Sequence, residues 1–183
     1  MSKKIVLIAG PTASGKSKLA IEIAKIIKGE IINADSMQVY KEFSVLSSRP
    51  SKLDIKKVKH HLYGIQSVKK HFSTGAWLKL VKKQIKLCLK KNKTPILVGG
   101  TGLYFEAITK GMSKIPNINF KERNKIRILQ KKLGQSLFYE KLLKLDPLVK
   151  NNIEPFDTQR SIRAFEVKKI TKKSIFEWYK LTK

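Results

Sequence analysis

Gly10-Pro11-Thr12-Ala13-Ser14-Gly15-Lys16-Ser17 follows an apolar run, residues 5–9, and precedes an amphipathic helical pattern. Its spacing, G-x-x-x-x-G-K-S, is that of a phosphate-binding loop. Its glycines let backbone N–H groups converge on phosphate oxygens, and the helix that begins near Lys16 adds the positive end of its dipole. Lys16 is placed to contact the terminal phosphates and Ser17 to ligate Mg²⁺. The motif therefore predicts binding of a diphosphate or triphosphate, nucleotides such as ATP included, without naming the reaction.

Composition limits the class of protein. The 183 residues are 42% hydrophobic, enough for one core plus a small appendage. The formal charge of +27 fits either a polyanionic partner such as RNA or a Lys-rich genome composition, and both interpretations stay open. A single cysteine excludes an internal disulfide, and no apolar run approaches the ~20 residues that span a bilayer. We therefore expect a cytoplasmic protein without a membrane segment.

The order of apolar runs predicts an α/β fold. Strands are expected at residues 5–9, 30–34 and 94–98, each buried and separated from the next by helical patterns. This order indicates a P-loop NTPase-like parallel sheet with flanking helices. Asp35 follows the second strand, and Gly99-Gly100-Thr101-Gly102 follows the last, at the edge where such sheets bind ligands. Asp35 is alternatively a turn or cap residue, and the Gly-rich segment is alternatively a structural turn.

The middle of the first part offers weaker signals. Residues 41–59 are expected to be irregular, and residues 60–65 to form a short strand. The adjacent histidines His60 and His61 indicate a metal only weakly, because no third ligand is spaced to join them. A long helix capped by Ser73 is expected to bury one face. That face comprises Trp77, Leu80, Val81, Ile85 and Cys88. We assign Cys88 no chemistry.

The strand pattern stops after residue 110. A break over residues 111–119 is followed by three Lys-rich helical patterns at residues 120–133, 135–145 and 157–170. We therefore expect two domains, residues 1–113 and 114–183. In the second domain, Arg160 and Arg163 are three residues apart and share a helix face, so they either clamp phosphates or belong to an ordinary charged face.

Five blocks of sequence carry a resemblance to a known family, in that family's order and over nearly the whole chain. The blocks are Gly10–Ser17, Asp35-Ser36-Met37-Gln38-Val39-Tyr40, His60-His61-Leu62, Gly99-Gly100-Thr101-Gly102-Leu103-Tyr104 and Asp157–Val167. Together they resemble the tRNA dimethylallyltransferases, also called tRNA isopentenyltransferases. A phosphate-binding loop alone is common to many kinases, whereas the second and fourth blocks together are specific.

The resemblance implies transfer of a dimethylallyl group from dimethylallyl diphosphate to N6 of the adenosine beside the anticodon of tRNA, with Mg²⁺ on Ser17. Asp35 would accept the proton of the amine, and Thr101 would orient the amine or Asp35. The implied diphosphate-binding residues are Gly10, Pro11, Thr12, Ala13, Ser14, Gly15, Lys16 and Ser17. The implied tRNA contacts are Asp35, Ser36, Met37, Gln38, Thr101, Arg123, Gln159, Arg160, Ser161, Ile162 and Arg163. The helical part would be a tRNA-binding insertion, and we expect a monomer.

The chain also departs from the family pattern. A later arginine-containing segment and basic helix of the family find no match here, so we expect a shortened form whose sheet lacks its last elements and exposes apolar surface. Two other functions stay open. A small-molecule kinase would transfer phosphate from ATP, although no cluster of lid arginines stands out near the core. A non-catalytic remnant would bind tRNA without turnover.

Overall fold

The computed structural model describes residues 4–70 and 72–181, which divide into two compact units between Gly111 and Met112. The elements of the first unit are β1 Val6–Ala9, α1 Lys16–Ile26, β2 Gly29–Asn33, α2 Lys52–Lys57, β3 His60–His61, α3 Thr74–Lys90, β4 Thr94–Gly99 and α4 Gly102–Thr109. Those of the second are α5 Phe120–Leu145, a 3₁₀ helix Pro147–Val149, α6 Thr158–Thr171 and α7 Ile175–Lys180. The predicted division lay between residues 113 and 114.

The first unit contains a four-stranded parallel sheet in the order β1-β4-β2-β3. This confirms the predicted α/β class with flanking helices. Residue Ile96 of the inner strand β4 is in register with Val6 on one side and Ile31 on the other. Since the three strands run in the same direction, the loops that follow β1, β4 and β2 emerge side by side at one edge of the sheet.

Helices bury both faces of this sheet. On one face, Ala20 and Ala24 of α1 pack in one cluster with Ile31 and Ile96. On the other face, α3 packs in a second cluster formed by Ile32, Ala34, Val39, Trp77, Val81, Ile85, Cys88, Leu97 and Tyr104. The predicted buried face of α3 is correct except at Leu80, which is 37% exposed.

Three local features differ from the sequence-based expectations. Within the described residues β1 pairs with β4 alone, so its side chains alternate and Leu7 is 42% exposed instead of buried. The segment expected to be irregular contains α2, which begins with a capping box between Ser51 and Asp54. β3 is only two residues long, because Leu62 after it adopts a positive φ of 64°.

In the described part of the second unit, all regular secondary structure is helical, and residues 112–119 form no regular element. Gly134, with φ 73° and ψ 174°, breaks α5 between the two predicted helices. The 3₁₀ helix and α7 were not predicted. The core includes Phe138 of α5 and Phe165 of α6, whose ring centroids lie 5.0 Å apart. In the part of the chain that is described, no helix combines the length and apolar character needed to cross a membrane.

Candidate active site

The loop between β1 and α1 has the conformation that a phosphate-binding loop requires. Ala13 and Gly15 both have positive φ, and Gly15 is the N-cap of α1. The amine of Lys16 donates to the carbonyl oxygen of Pro11 over 2.7 Å, so the lysine folds back across the loop. Ser17 is the second residue of α1 and is exposed. The loop thus combines a glycine N-cap of α1 with an ammonium and an exposed hydroxyl, the groups that bind phosphate at a helix N-terminus.

A buried asparagine orients Asp35 at the end of β2. Asn33 is fully buried; its Oδ1 accepts from the Asp35 N–H at 2.9 Å, and its Nδ2 donates to the carbonyls of Asp35 and Leu62. The carboxylate of Asp35 closes an Asx turn, since its Oδ1 accepts from the N–H of Met37 at 2.9 Å. Among the described residues no hydrogen bond engages Oδ2. Asp35 therefore forms a turn and still offers one carboxylate oxygen.

The loop after β4 lies against the other two loops. A Cβ placed on Gly99 would lie 2.1 Å from the carbonyl carbon and oxygen of Ala34. A Cβ on Gly100 would lie 3.2 Å from the carbonyl oxygen of Gly10 and 3.5 Å from Oδ2 of Asp35. Glycine is thus required at position 99 by close backbone approach. The same approach places the phosphate-binding loop, Asp35 and the Gly-rich loop around one location.

Thr101 is joined to the loop that carries Asp35. Its Oγ1 accepts from the N–H of Ser36 at 2.9 Å and donates to the Ser36 hydroxyl at 3.2 Å. Thr101 is the N-cap of α4, yet its side chain makes no capping hydrogen bond. Its hydroxyl is directed to Ser36 and not to Asp35, so the contact supports a positioning role.

Two tyrosines near Asp35 stay protonated at neutral pH. Burial, followed by the charges of Tyr40 and Asp35, raises the pKa of Tyr104 to about 12. Burial and the Asp35 charge also raise the pKa of Tyr63 well above its usual range. Tyr63 lines a cavity of about 100 Å³ beside the phosphate-binding loop. The other lining residues are Ser17, Ala20, Ile21, Ile31, Ser48, Arg49, Pro50, Asp54, His60 and Val98.

In the segment after Asp35, side chains donate hydrogen bonds to backbone carbonyls of the same segment. Met37 is 51% exposed, whereas the Gln38 side chain donates to the carbonyl of Ser47 over 2.7 Å. The guanidinium of Arg49 donates to the carbonyl of Tyr40 over 3.2 Å. Gly64 has a positive φ of 57°, which favours glycine, and a Cβ there would lie 2.1 Å from that guanidinium, which would have to shift. Of the predicted RNA contacts in this segment, Met37 has the most exposed side chain.

In the helical unit, two of the predicted RNA-binding arginines are paired with a carboxylate. Glu166 is 1% exposed and accepts from Arg123 through both of its oxygens at 3.2 Å. It also accepts from Arg163 at 3.2 Å. The side chains of Arg123 and Arg163 are 29% and 38% exposed. Both guanidiniums therefore stabilise a buried charge while keeping part of their surface in water.

The remaining members of the predicted RNA-binding segment differ in exposure. Gln159 and Arg160 are exposed on the first turn of α6, where Arg160 lies 3.4 Å from Asp157. Ser161 is fully buried and its hydroxyl accepts from Gln135, and Ile162 belongs to the hydrophobic core of the unit. Because Ser161 and Ile162 are buried, their side chains pack inside the unit. The surface that RNA could reach is formed by Gln159 and Arg160.

Sequence reasoning missed several residues that build this site. Asn33 and Gly64 were not singled out, because their roles depend on contacts with Leu62 and Arg49 across loops. Asn33 could have been noticed in the sequence, because it is a polar residue at the end of an otherwise apolar strand. The cavity depends on α2 and the residues before it, in a segment that was expected to be irregular.

These features are those of a P-loop-type α/β protein, in which the loop after β1 and the aspartate after β2 both lie close to Gly100. A family model described as IPP transferase matches residues 38–183. The chain belongs to this family.

Relatives and solved structures agree with the family. A tRNA dimethylallyltransferase of Pelagibacter ubique is 58% identical over 180 residues, which are 98% of this chain and 58% of that protein. One of Rickettsia canadensis is 46% identical over 99% of this chain and 56% of its own length. A crystallographic study of a eukaryotic dimethylallyltransferase acting on tRNA gives a TM-score of 0.80 at 27% identity, over 98% of this chain and 44% of that chain. A Bacillus halodurans tRNA isopentenylpyrophosphate transferase gives 0.60 at 33% identity, over 93% and 56%. This chain thus spans about half the length of the curated relatives that it matches.

Proposed function

We propose that this chain carries the diphosphate-binding and proton-accepting parts of a tRNA dimethylallyltransferase, which transfers a dimethylallyl group from dimethylallyl diphosphate to N6 of the adenosine beside the anticodon. The observation that carries the proposal is that the carbonyl oxygen of Gly10 and the free carboxylate oxygen of Asp35 both lie close to Gly100. The shared name of the relatives favours prenyl transfer over the kinase alternative. A tRNA substrate agrees with the expected cytoplasmic location, and a monomer stays a prediction.

The phosphate-binding loop would stabilise the leaving diphosphate. Its N–H groups and Lys16 face the position where negative charge grows as the carbon–oxygen bond breaks. The allylic carbon tolerates positive character, so stabilising the leaving group is the main electrostatic task. All eight residues of the loop, Gly10 to Ser17, take part in this proposal. In ATP-binding proteins this motif holds the phosphates of the nucleotide. Here it would hold the leaving diphosphate of the prenyl donor, and no phosphate would be transferred.

Asp35 would accept the proton that N6 loses. Its Oδ1 is held by the Met37 N–H, which leaves Oδ2 toward Gly100 for the amine. An exocyclic amine of adenine is a weak nucleophile, so a carboxylate in hydrogen-bond reach assists attack. Thr101 would act by fixing Ser36, and with it the direction of Asp35. The adenosine would leave the stack of the anticodon loop to reach this pocket.

The residues present fit a Mg²⁺ ion at Ser17. Its hydroxyl is exposed in the first turn of α1, one residue after Lys16, where a hard cation finds an oxygen ligand beside bound phosphate. When bound, the ion would neutralise charge on the departing diphosphate. The remaining ligands would be phosphate oxygens and water.

The helical unit would contribute affinity for the anticodon stem-loop. Gln159 and Arg160 are exposed, and Arg123 and Arg163 keep part of their guanidiniums accessible. In the first unit Ser36, Met37, Gln38 and Thr101 would border the flipped base. Ser161 and Ile162 would support this surface from the core, through packing beneath the first turns of α6. Arginine side chains of this kind would contact RNA phosphates, and such contacts discriminate little between nucleotide sequences.

The deciding experiment combines transfer with binding. The chain is incubated with Mg²⁺, labelled dimethylallyl diphosphate and an anticodon stem-loop RNA, and the RNA is digested to detect an N6-prenylated nucleoside. Asp35→Asn keeps the Oδ1 acceptor but loses the base, so transfer should fall by about 100-fold or more. Diphosphate and RNA affinities should stay within about two-fold, as they should in the exposed charge control Glu22→Gln.

Each alternative gives a distinct result. Phosphoryl transfer from ATP without prenyl transfer would identify a kinase. Binding of RNA and diphosphate by the wild-type chain without product would identify a non-catalytic form. Lys16→Ala should weaken diphosphate binding, and unchanged affinity in that variant would contradict the role of the loop.

A further inference from the structure

Three different metal-ligating groups meet between the sheet and α3. They are the carboxylate of Glu30, the imidazole of His61 and the thiol of Cys88. One ligand atom from each lies within 4.8 Å of the other two. Nε2 of His61 is 2.6 Å from Oε2 of Glu30, and Sγ of Cys88 is 3.5 Å from the same oxygen. Glu30 is near the start of β2, at the opposite end from Asp35, so the cluster is separate from the candidate active site.

The fold brings these residues together across long sequence separations. His61 is in register with Ile32, the next residue but one after Glu30, so both side chains leave the sheet on the face covered by α3. Cys88 is fully buried on that face of α3, and the side chains of Glu30 and His61 are 10% and 14% exposed. The separation explains why the sequence showed no third ligand for the histidines.

The distances suit a small divalent cation. Zn–S, Zn–N and Zn–O bonds of about 2.0–2.3 Å at tetrahedral angles place donor atoms roughly 3.3–3.7 Å apart. The Cys88–Glu30 separation already matches this range. The His61–Glu30 contact is shorter because it is a hydrogen bond, whose proton a cation would replace. A thiolate, an imidazole and a carboxylate form a donor set typical of Zn²⁺.

A fourth donor is within reach. The side-chain amide of Gln84 lies 3.4 Å from Nε2 of His61 and 3.7 Å from Sγ of Cys88. Because amide oxygen and nitrogen are assigned from their surroundings, rotation by 180° directs the carbonyl oxygen to the same location. The cluster therefore offers four protein donors from β2, β3 and α3.

We propose that Glu30, His61 and Cys88 bind a thiophilic divalent cation of the Zn²⁺ type. The bound ion cross-links α3 and the short edge strand β3 to the interior strand β2, a structural role. Leu62, which follows His61, accepts the hydrogen bond from Asn33. The ion thus also stabilises the segment that supports Asp35. The competing interpretation is a polar cluster held by hydrogen bonds alone.

Co²⁺ titration of the untagged, metal-stripped chain tests the proposal. Wild type should bind one equivalent with a thiolate-to-cobalt charge-transfer band and the strong visible bands of a tetrahedral site, both lost on adding Zn²⁺. The chain has a single cysteine, so a thiolate band reports on Cys88. Zn²⁺ should also raise the wild-type melting temperature, because a ligand that binds the folded state stabilises it.

Matched variants locate the site. Cys88→Ser retains a hydroxyl for the contact with Glu30 but should lose the charge-transfer band and at least about 10-fold in Zn²⁺ affinity. His61→Asn should do the same. His60→Asn is the control: it removes the neighbouring histidine, which lines the cavity on the other face of the sheet, and should leave Co²⁺ spectra unchanged. Unfolding curves of all three variants verify folding.

Three results would overturn the proposal. The first is the absence of a thiolate band in wild type, which needs no variant and would leave the hydrogen-bonded cluster as the interpretation. The second is stoichiometric Zn²⁺ binding that persists in Cys88→Ser. The third is an equal loss of binding in His60→Asn and His61→Asn.

Discussion

The backbone N–H of Ser36 donates to Oγ1 of Thr101 over 2.9 Å, and this hydrogen bond joins the loop after β2 to the loop after β4. The two residues are 65 positions apart in the chain. Since Ser36 directly follows Asp35, the contact sets the direction of the carboxylate that is the candidate base. Thr101 thereby couples the folding of the Gly-rich loop to the geometry of the site.

Thr101→Val should damage both stability and transfer. The variant keeps the shape of the side chain but leaves the half-buried Ser36 N–H without its acceptor, at a cost of about 1–3 kcal/mol in the free energy of unfolding. Transfer should fall more than RNA affinity, because Asp35 loses its orientation. Urea unfolding and single-turnover transfer measure the two effects. Thr101→Ser retains the hydroxyl and should stay near wild type; equal behaviour of both variants would exclude the proposed role of the hydroxyl.

Gly99→Ala should destabilise the chain strongly. The added Cβ would lie 2.1 Å from the carbonyl of Ala34, a backbone atom that moves only with β2. We expect a loss of about 3 kcal/mol or more in the free energy of unfolding. Gly102→Ala is the matched control, since no atom lies within 4 Å of its added Cβ. If urea unfolding showed the same small change for both, the close approach of β4 to Ala34 would be refuted.

Arg123→Ala should destabilise the helical unit. It removes the partner that contacts both oxygens of the buried Glu166 carboxylate. Because Arg163 still pairs with this carboxylate, we expect a cost of about 1–3 kcal/mol, below that of isolating a fully buried charge. Thermal unfolding measures it. Arg123→Ala combined with Glu166→Leu should recover part of the loss, and no recovery would show that Arg123 acts through other contacts.

Arg160→Ala should weaken RNA binding without affecting folding. Its side chain is 74% exposed and, among the residues that the structure describes, pairs with Asp157 at the N-cap of α6, an interaction of little consequence for stability. Loss of one phosphate contact to single-stranded RNA should reduce the slope of log affinity against log salt by roughly 0.7. Lys169→Ala removes an exposed charge from the other end of α6 and serves as the control. An identical salt slope in wild type and Arg160→Ala would argue against phosphate contact.

The local sequence pattern predicted most of the helices and strands. It failed where the structure of a segment depends on what packs beside it. The runs before Gly10 and Gly99 were identified as strands because short apolar runs that end at Gly or Pro are typical of buried strands. Burial of β1 was wrong, because burial depends on which strands lie beside it. α2 was missed because a six-residue helix carries little periodicity, although Ser51 and Asp54 gave a capping signal.

The sequence pattern was enough to predict the Gly10–Ser17 loop, the aspartate after β2, the Gly-rich loop after β4, and a change from α/β to helical structure between residues 113 and 114. These features depend on spacing and on residues whose backbone preferences are local, such as Gly15 and Gly134. The sequence pattern could not show which groups meet: Ser36 with Thr101, Arg123 with Glu166, and His61 with Cys88. Parallel strands are joined by long crossovers, and 43 positions separate Arg123 on α5 from Glu166 on α6, so residues that contact each other in the fold are distant in the chain. Hydrogen bonds form between such neighbours, as would the proposed metal site, and the local sequence pattern does not predict these contacts.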